Sequence, residues 1–251
     1  MVKLESLLYF LEDAFQTSSH PDYPGAVNGL QVEGRTEVRH LGAAVDASEE
    51  TIQEAIRRGV DLLLVHHGLF WGGLKPLTGS HFRKVAPLIR DEVGIYSLHL
   101  PLDSHPEFGN NALLLSALGL NREGRFGVFK EIQVGWWGTD GCLRDDLLQR
   151  LEKTVEGPCR LIPGGPERVD KVGVVTGGGA STLGEASAMG LDALITGEAP
   201  HHSYHEAMEF GVNLFLGGHY ATETFGVKAL ASHLADHFGI SWEFLHFPTG
   251  L

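Results

Sequence analysis

The chain has 251 residues, is 43% hydrophobic and 20% charged, and carries a formal net charge of −13 from 32 acidic and 19 basic side chains. That length allows two domains with substantial cores, and the acidic balance argues against nucleic acid as a broad partner, because such binding needs a basic surface. Cys142 and Cys159 form no CxxC pattern and no apolar run reaches the roughly 18 residues that span a membrane, so neither a disulfide scaffold nor a membrane protein is indicated and a reduced cytoplasm is expected.

Leu4, Leu7, Leu8, Leu11 and Phe15 recur at helical spacing, so residues 3–15 are read as a helix. It is acidic and amphipathic, unlike a secretory signal. Gly29–Glu33 and Val38–Val45 are read as strands. Ser48 followed by Glu49 and Glu50 makes a good helix start, and Gly59 a good stop. The run Val60–Val65 is apolar throughout, as in a strand buried on both faces, and it stops at His66-His67-Gly68. A helix over Ser80–Glu92, a strand over Ile95–Leu98 and a helix opened by Pro106 follow. The second half runs through a strand at Ile132–Trp136, a helix at Leu143–Val155, a strand at Val172–Val175 and, after Gly177-Gly178-Gly179, a helix to Met189.

Gly59-Val60-Asp61-Leu62-Leu63-Leu64-Val65-His66-His67 aligns with Gly190-Leu191-Asp192-Ala193-Leu194-Ile195-Thr196-Gly197-Glu198, and Glu54-Ala55 aligns with Glu185-Ala186. The expected fold is therefore α/β, with two similar domains related by an internal repeat and candidate ligands at the carboxyl ends of strands. The polar stretch Asn121–Arg125 reads as a turn, which places the boundary between residues 1–125 and 126–251.

Three apolar runs end in His or carboxylate. They deliver His66 and His67, then His99 with Asp103 behind Pro101, then His219 and Glu223 at i, i+4 spacing. Ligands bind at the carboxyl ends of strands in open α/β sheets. His66, His67, Asp103, His219 and Glu223 offer imidazole nitrogen and carboxylate oxygen without thiolate, a set that suits Zn, Fe, Mn, Co or Ni about equally. Consecutive histidines of a regular strand point to opposite faces, so His66 and His67 either leave strand geometry at Gly68 or serve two different ions. Two carboxylates allow one to bridge a pair of ions about 3.5–4 Å apart, as in two-metal hydrolytic sites.

Other signals are less specific. Gly177-Gly178-Gly179 could be a tight turn or an anion cradle, and it lacks the Walker and GxGxxG spacings. Glu198 and His202 are the candidates for proton transfer. No Ser–His or Cys–His pair supports covalent catalysis. Trp136-Trp137 reads as core or subunit interface.

Val65-His66-His67-Gly68, Leu98-His99-Leu100-Pro101-Leu102-Asp103, Gly109-Asn110-Asn111, Thr196-Gly197-Glu198 and Gly217-Gly218-His219-Tyr220-Ala221-Thr222-Glu223 together resemble the NIF-three-like family, also described as GTP cyclohydrolase I type 2 homologues or dinuclear metal centre proteins. The resemblance runs along nearly the whole chain. It implies two similar α/β domains, a toroidal homohexamer and two divalent ions per chain. The family's ligands map onto His66, His67, Asp103, His219 and Glu223, with Glu223 bridging, and His99 lies within a matched motif.

A hydrolase follows as one expectation, acting on a small nucleotide-like substrate through metal-activated water with Glu198 or His202 moving the proton. The alternative is a non-catalytic metal-binding scaffold, or a protein that stores or delivers metal. Threading nucleic acid through a ring would need basic lining such as Arg57, Arg58 and Lys84.

Overall fold

The computed structural model describes residues 1–73 and 75–251. The chain forms two compact units. The first comprises Met1–Leu102 with Gly226–Phe247, and the second Asp103–Phe225 with Pro248–Leu251. The division therefore falls after Leu102 and Phe225 rather than at the expected 125/126. Residues 121–125 are not a turn but the start of a strand paired with its successor, and the C-terminal helix and strand return to the first unit.

In chain order the first unit holds β1 (Val2–Lys3), α1 (Leu4–Phe15), β2 (Gly29–Val32), β3 (Glu37–Val38), β4 (His40–Asp46), α2 (Glu49–Arg57), β5 (Leu62–His67), α3 (Gly79–Arg90) and β6 (Gly94–Ser97). Helix α1 buries Leu4, Leu7, Leu11 and Phe15, the stripe its spacing predicts. Ser48 caps α2 by accepting the Thr51 N–H at 3.0 Å. Short α4 (Leu100–Asp103) then leads into the second unit.

That unit contains α5 (Asn110–Ala117), β7 (Asn121–Phe129), β8 (Ile132–Leu143), α6 (Arg144–Val155), β9 (Arg160–Pro163), β10 (Arg168–Val174), a 3-10 turn at Gly179–Thr182, α7 (Leu183–Ala188), β11 (Ala193–Thr196), α8 (Ser203–Phe210), β12 (Asn213–Leu216) and α9 (His219–Thr222). The chain re-enters the first unit through α10 (Thr224–Phe238) and β13 (Ser241–Phe244). Helix α5 starts at Asn110, later than the helix expected from Pro106.

The first sheet has the order β13-β4-β5-β6-β2, with β4, β5, β6 and β13 parallel and β2 antiparallel at the edge. Strand β5 is central, so Leu62–Val65 are at most 1% exposed. This explains its unbroken apolar run. Val65, Leu63, Ile95, Ile52 and Leu88 form the core between this sheet and its helices. Each such side chain contributes roughly 1.5–3 kcal/mol when fully buried.

The second sheet has the order β7-β8-β10-β11-β12-β9. Its parallel trio β10, β11, β12 is flanked by antiparallel β9 and β8. Leu147 and Leu151, one turn apart on α6, pack on Val172, Val174, Ile195 and Phe215. Trp136 is half-buried and has the Arg122 and Arg125 guanidiniums 4.5 and 4.2 Å from its ring centroid, basic neighbours supplied by the adjacent strand.

The repeat is visible as shared register. Leu41 pairs with Leu62 and Val172 with Ala193, so Arg39–His67 aligns with Asp170–Glu198 without a gap. Asp61 accepts the N–H groups of Arg39 and His40 at 2.8 and 3.1 Å, and Asp192 accepts those of Asp170 and Lys171 at 2.9 Å. The aspartate common to both copies thus ties the start of one strand to the start of the next in each unit.

Candidate functional site

In the first unit, β5 ends in His66 and His67. Their ring centroids lie 4.7 Å apart, so the two rings do not diverge as side chains of a regular strand do. His66 is fully buried and its Nδ1 lies 2.8 Å from the Leu98 carbonyl oxygen. His67 Nδ1 lies 2.8 Å from Asp46 Oδ1, and the two residues are register partners on β5 and β4. Just after β6, His99 Nδ1 lies 2.8 Å from Asp22 Oδ1.

Asp22, with a side chain 6% exposed, also accepts from Asn28 Nδ2 and from the N–H groups of Tyr23 and Leu100. Burial works to raise its pKa, but His99, Asn28 and Tyr23 hold the carboxyl below the usual range. A carbonyl or carboxylate oxygen accepts, so each Nδ1 carries a proton, and in the neutral tautomer it is Nε2 that bears the lone pair a metal would take. One donor atom from each of His66, His67 and His99 lies within 4.8 Å of the others. The arrangement matches the hydrogen-bonded histidines of metal sites.

In the second unit, Asp103 and Glu223 are 5% and 3% exposed, and a carboxylate oxygen of each lies within 4.8 Å of the other. Asn110 Nδ2 donates to Asp103 Oδ1 at 2.8 Å, while Asn111 Nδ2 donates to the carbonyls of Asp103 and Val134 at 3.2 and 2.9 Å. His219 Nε2 is 3.2 Å from Glu223 Oε1, and its Nδ1 is 2.9 Å from Glu198 Oε1. The Glu223 hydrogen bond, opposed by burial and reinforced by Glu198, pushes the His219 pKa up to about 9. A divalent cation and this proton compete for the same nitrogen.

Two buried carboxylates so close together draw positive charge. The backbone makes room for them: a Cβ on Gly177 would stand 2.0 Å from Glu223 Oε1 and 3.1 Å from His219 Nε2. Gly177 is thus a cradle for the ligand pair. The N–H groups of Gly177 and Gly179 donate to the hydroxyls of Thr222 on α9 and Thr196 at the end of β11, so the glycine run packs on its own unit rather than holding an anion through those groups.

The first unit thus contains a group of three residues that could hold a metal ion, and the second holds a close carboxylate pair with His219 beside it. Among the expected residues, His66 and His67 come together in the first unit, and Asp103, His219 and Glu223 are placed in the second. Glu198 lies against His219, whereas His202 is exposed at the head of α8. Asp22 and Asp46 were not picked out from sequence. Asp46 carried a readable signal, since it ends β4 beside the strand that ends in His67. Asp22 carried none, lying in an irregular loop. Arg57 and Arg58 both donate to Glu54, which occupies two of the three cations considered for a basic lining.

The geometry describes an α/β protein with clustered imidazole and carboxylate donors at or near strand ends, and relatives of known sequence and structure share its fold. Residues 2–249 match the family described as Duf34/NIF3 (NGG1p interacting factor 3). A Deinococcus radiodurans protein named GTP cyclohydrolase 1 type 2 homolog is 43% identical, covering 98% of this chain and 94% of that one. The structure of TTHA1606 from Thermus thermophilus has TM-score 0.89 at 39% identity, and that of protein ybgI, described as of unknown function, has TM-score 0.93 at 33% identity; each covers 100% of both chains. The chain belongs to the Duf34/NIF3 family.

Proposed function

We propose that the protein is a metal-dependent hydrolase with a dinuclear centre, and that it acts on a small nucleotide-like substrate in the manner of a GTP cyclohydrolase. The ligands in this reading are His66, His67, Asp103, His219 and Glu223. The observation that carries it is the second unit's carboxylate pair, buried within 4.8 Å of each other beside His219 and over a residue with no side chain. The donor set fits borderline divalent ions such as Zn, Fe, Mn, Co or Ni.

Bound cations of this kind supply Lewis acidity and a water acidic enough to attack near neutral pH. The chain's own residues prepare the donors. Asp46 holds the Nδ1 proton of His67 and Glu198 that of His219, which fixes each ring's tautomer and orientation. Glu198 is thereby a positioning residue as well as a candidate proton carrier, and exposed His202 is the group free of that duty. The relatives' printed name, GTP cyclohydrolase 1 type 2 homolog, supports the reaction class. The toroidal homohexamer and the reduced cytoplasm belong to the same reading.

Elemental analysis beside a turnover assay tests the proposal. Two ions per wild-type chain, falling in His67→Ala and Glu223→Ala, support the centre. Retained metal with lost turnover in His202→Ala supports catalysis. Fully loaded protein that leaves GTP, other nucleotides and simple phosphoesters unchanged points instead to metal storage or a metal-holding scaffold. Sedimentation checks the hexamer.

A further inference from the structure

We propose that Tyr23 and Trp71 form a binding wall for a planar heteroaromatic ring of the substrate, beside His67 and His99. This names the substrate class of the same site and rests on the metal-dependent reading above.

Tyr23 is 51% and Trp71 38% exposed, large rings that nothing in the core requires. Both adjoin the histidine group. Trp71 lies 4.7 Å from His99 at 83° and 5.8 Å from His67 at 76°, while Tyr23 lies 6.0 Å from His99. The two rings are 6.4 Å apart and tilted by 55°. Every ring contact of Trp71 among the described residues is perpendicular or tilted, so no parallel ring stacks on it.

The backbone under both rings is held in place. Gln31 Nε2 donates to the carbonyls of Ala26 and Val27 at 3.1 and 2.9 Å, and its Oε1 accepts the Leu69 N–H at 2.7 Å. One side-chain amide thus ties the segment carrying Tyr23 to the segment carrying Trp71. Asp22 accepts the Tyr23 N–H at 2.6 Å while it also holds His99. A rigid pair of exposed aromatic rings presents electron-rich faces at little entropic cost. Such faces favour flat aromatic rings, most strongly cationic ones, over a sugar or an aliphatic acid. The position beside His67 and His99 puts the bound ring where the proposed chemistry occurs.

Calorimetric titration of metal-loaded protein with guanosine, 7-methylguanosine and ribose 5-phosphate tests the wall. Both nucleosides should bind, the cationic one more tightly, and ribose 5-phosphate should bind far more weakly. Trp71→Ala should weaken guanosine binding about tenfold and Trp71→Phe should recover most of it, with metal content unchanged by elemental analysis. Tyr23→Ala should act in the same direction by a smaller factor. The inference is overturned by loaded wild-type protein that ignores both nucleosides, or by an unchanged affinity in Trp71→Ala. It is equally overturned if both Trp71→Ala and the bulky Trp71→Leu shed metal, since the ring would then only be packing for His99. The two proposals fail separately. Guanosine binding without any turnover defeats the hydrolase and leaves the wall, whereas turnover of a non-aromatic phosphoester without nucleoside binding does the reverse.

Discussion

Arg39–His67 in the first unit and Asp170–Glu198 in the second share strands, register and one backbone-binding aspartate, yet their ends differ. Where the first copy has Asp46, His66 and His67, the second has Gly177, Gly197 and Glu198. The difference has a steric cause. A Cβ on Gly197 would lie 2.6 Å from His219 Cα and 2.8 Å from the Gly177 carbonyl oxygen. In the second unit the chain after β12 passes so close to the end of β11 that no side chain fits at 197, and the imidazole comes from α9 instead. One scaffold thus offers donors from its central strand in one copy and from a following helix in the other.

The comparison can be broken most forcefully at Gly197. Gly197→Ala should destabilise the second unit by about 3 kcal/mol through overpacking against backbone, a fall in Tm of roughly 6–12 °C. A thermal scan unchanged from wild type would remove the steric account. Next come the shared aspartates. Asp61→Ala and Asp192→Ala should each cost about 2–3 kcal/mol in denaturant unfolding, because each leaves two backbone N–H groups without their charged acceptor. Asp61 should cost slightly more, being only 6% exposed. A near-neutral result at either position would show that the repeat is one of shape alone.

The carboxylates that hold imidazoles give a subtler contrast. Asp46→Asn and Glu198→Gln should each weaken metal binding about 10- to 100-fold in chelator competition while leaving the fold intact. A loss in only one of them would show that only that carboxylate's imidazole holds the tighter metal. The smallest effect is expected at Glu243, which belongs to the first unit's extra strand and has no counterpart in the repeat. Burial works to raise its pKa, but bonds to His40 and Arg58 lower it overall. A depressed carboxylate stabilises the fold above its unfolded pKa, and that stability fades as pH falls through the native value. Glu243→Gln should therefore cost about 0.5–1 kcal/mol at pH 7 and converge on wild type in acid unfolding.

The parallel trios were readable because each buried strand is a short apolar run bounded by glycine, and because Asp61 and Asp192 mark the same offset. Donor residues at strand ends were readable for the same reason. The unit boundary was not. Asn121-Arg122-Glu123-Gly124-Arg125 looks like a turn in one dimension, yet it forms an outer strand with solvated side chains on β8. Nor did local pattern reveal that β13 pairs with β4, some 200 positions away in sequence. Asp22 escaped notice because its role is defined by distant partners, His99 and Leu100.

That last strand bears on how the chain is made. Strand β4 has β5 on one side and only β13 on the other. As the chain leaves the ribosome, every strand of the second sheet has emerged before Ser241–Phe244 exist, so the unit later in sequence can close its sheet first. The earlier unit meanwhile waits with the edge of β4 unpaired, a segment open to pairing with other chains. Its completion depends on a contact of very long sequence separation, the kind that slows folding most. The nascent protein would be most vulnerable to aggregation in its first half, until Ser241–Phe244 emerge and pair with β4.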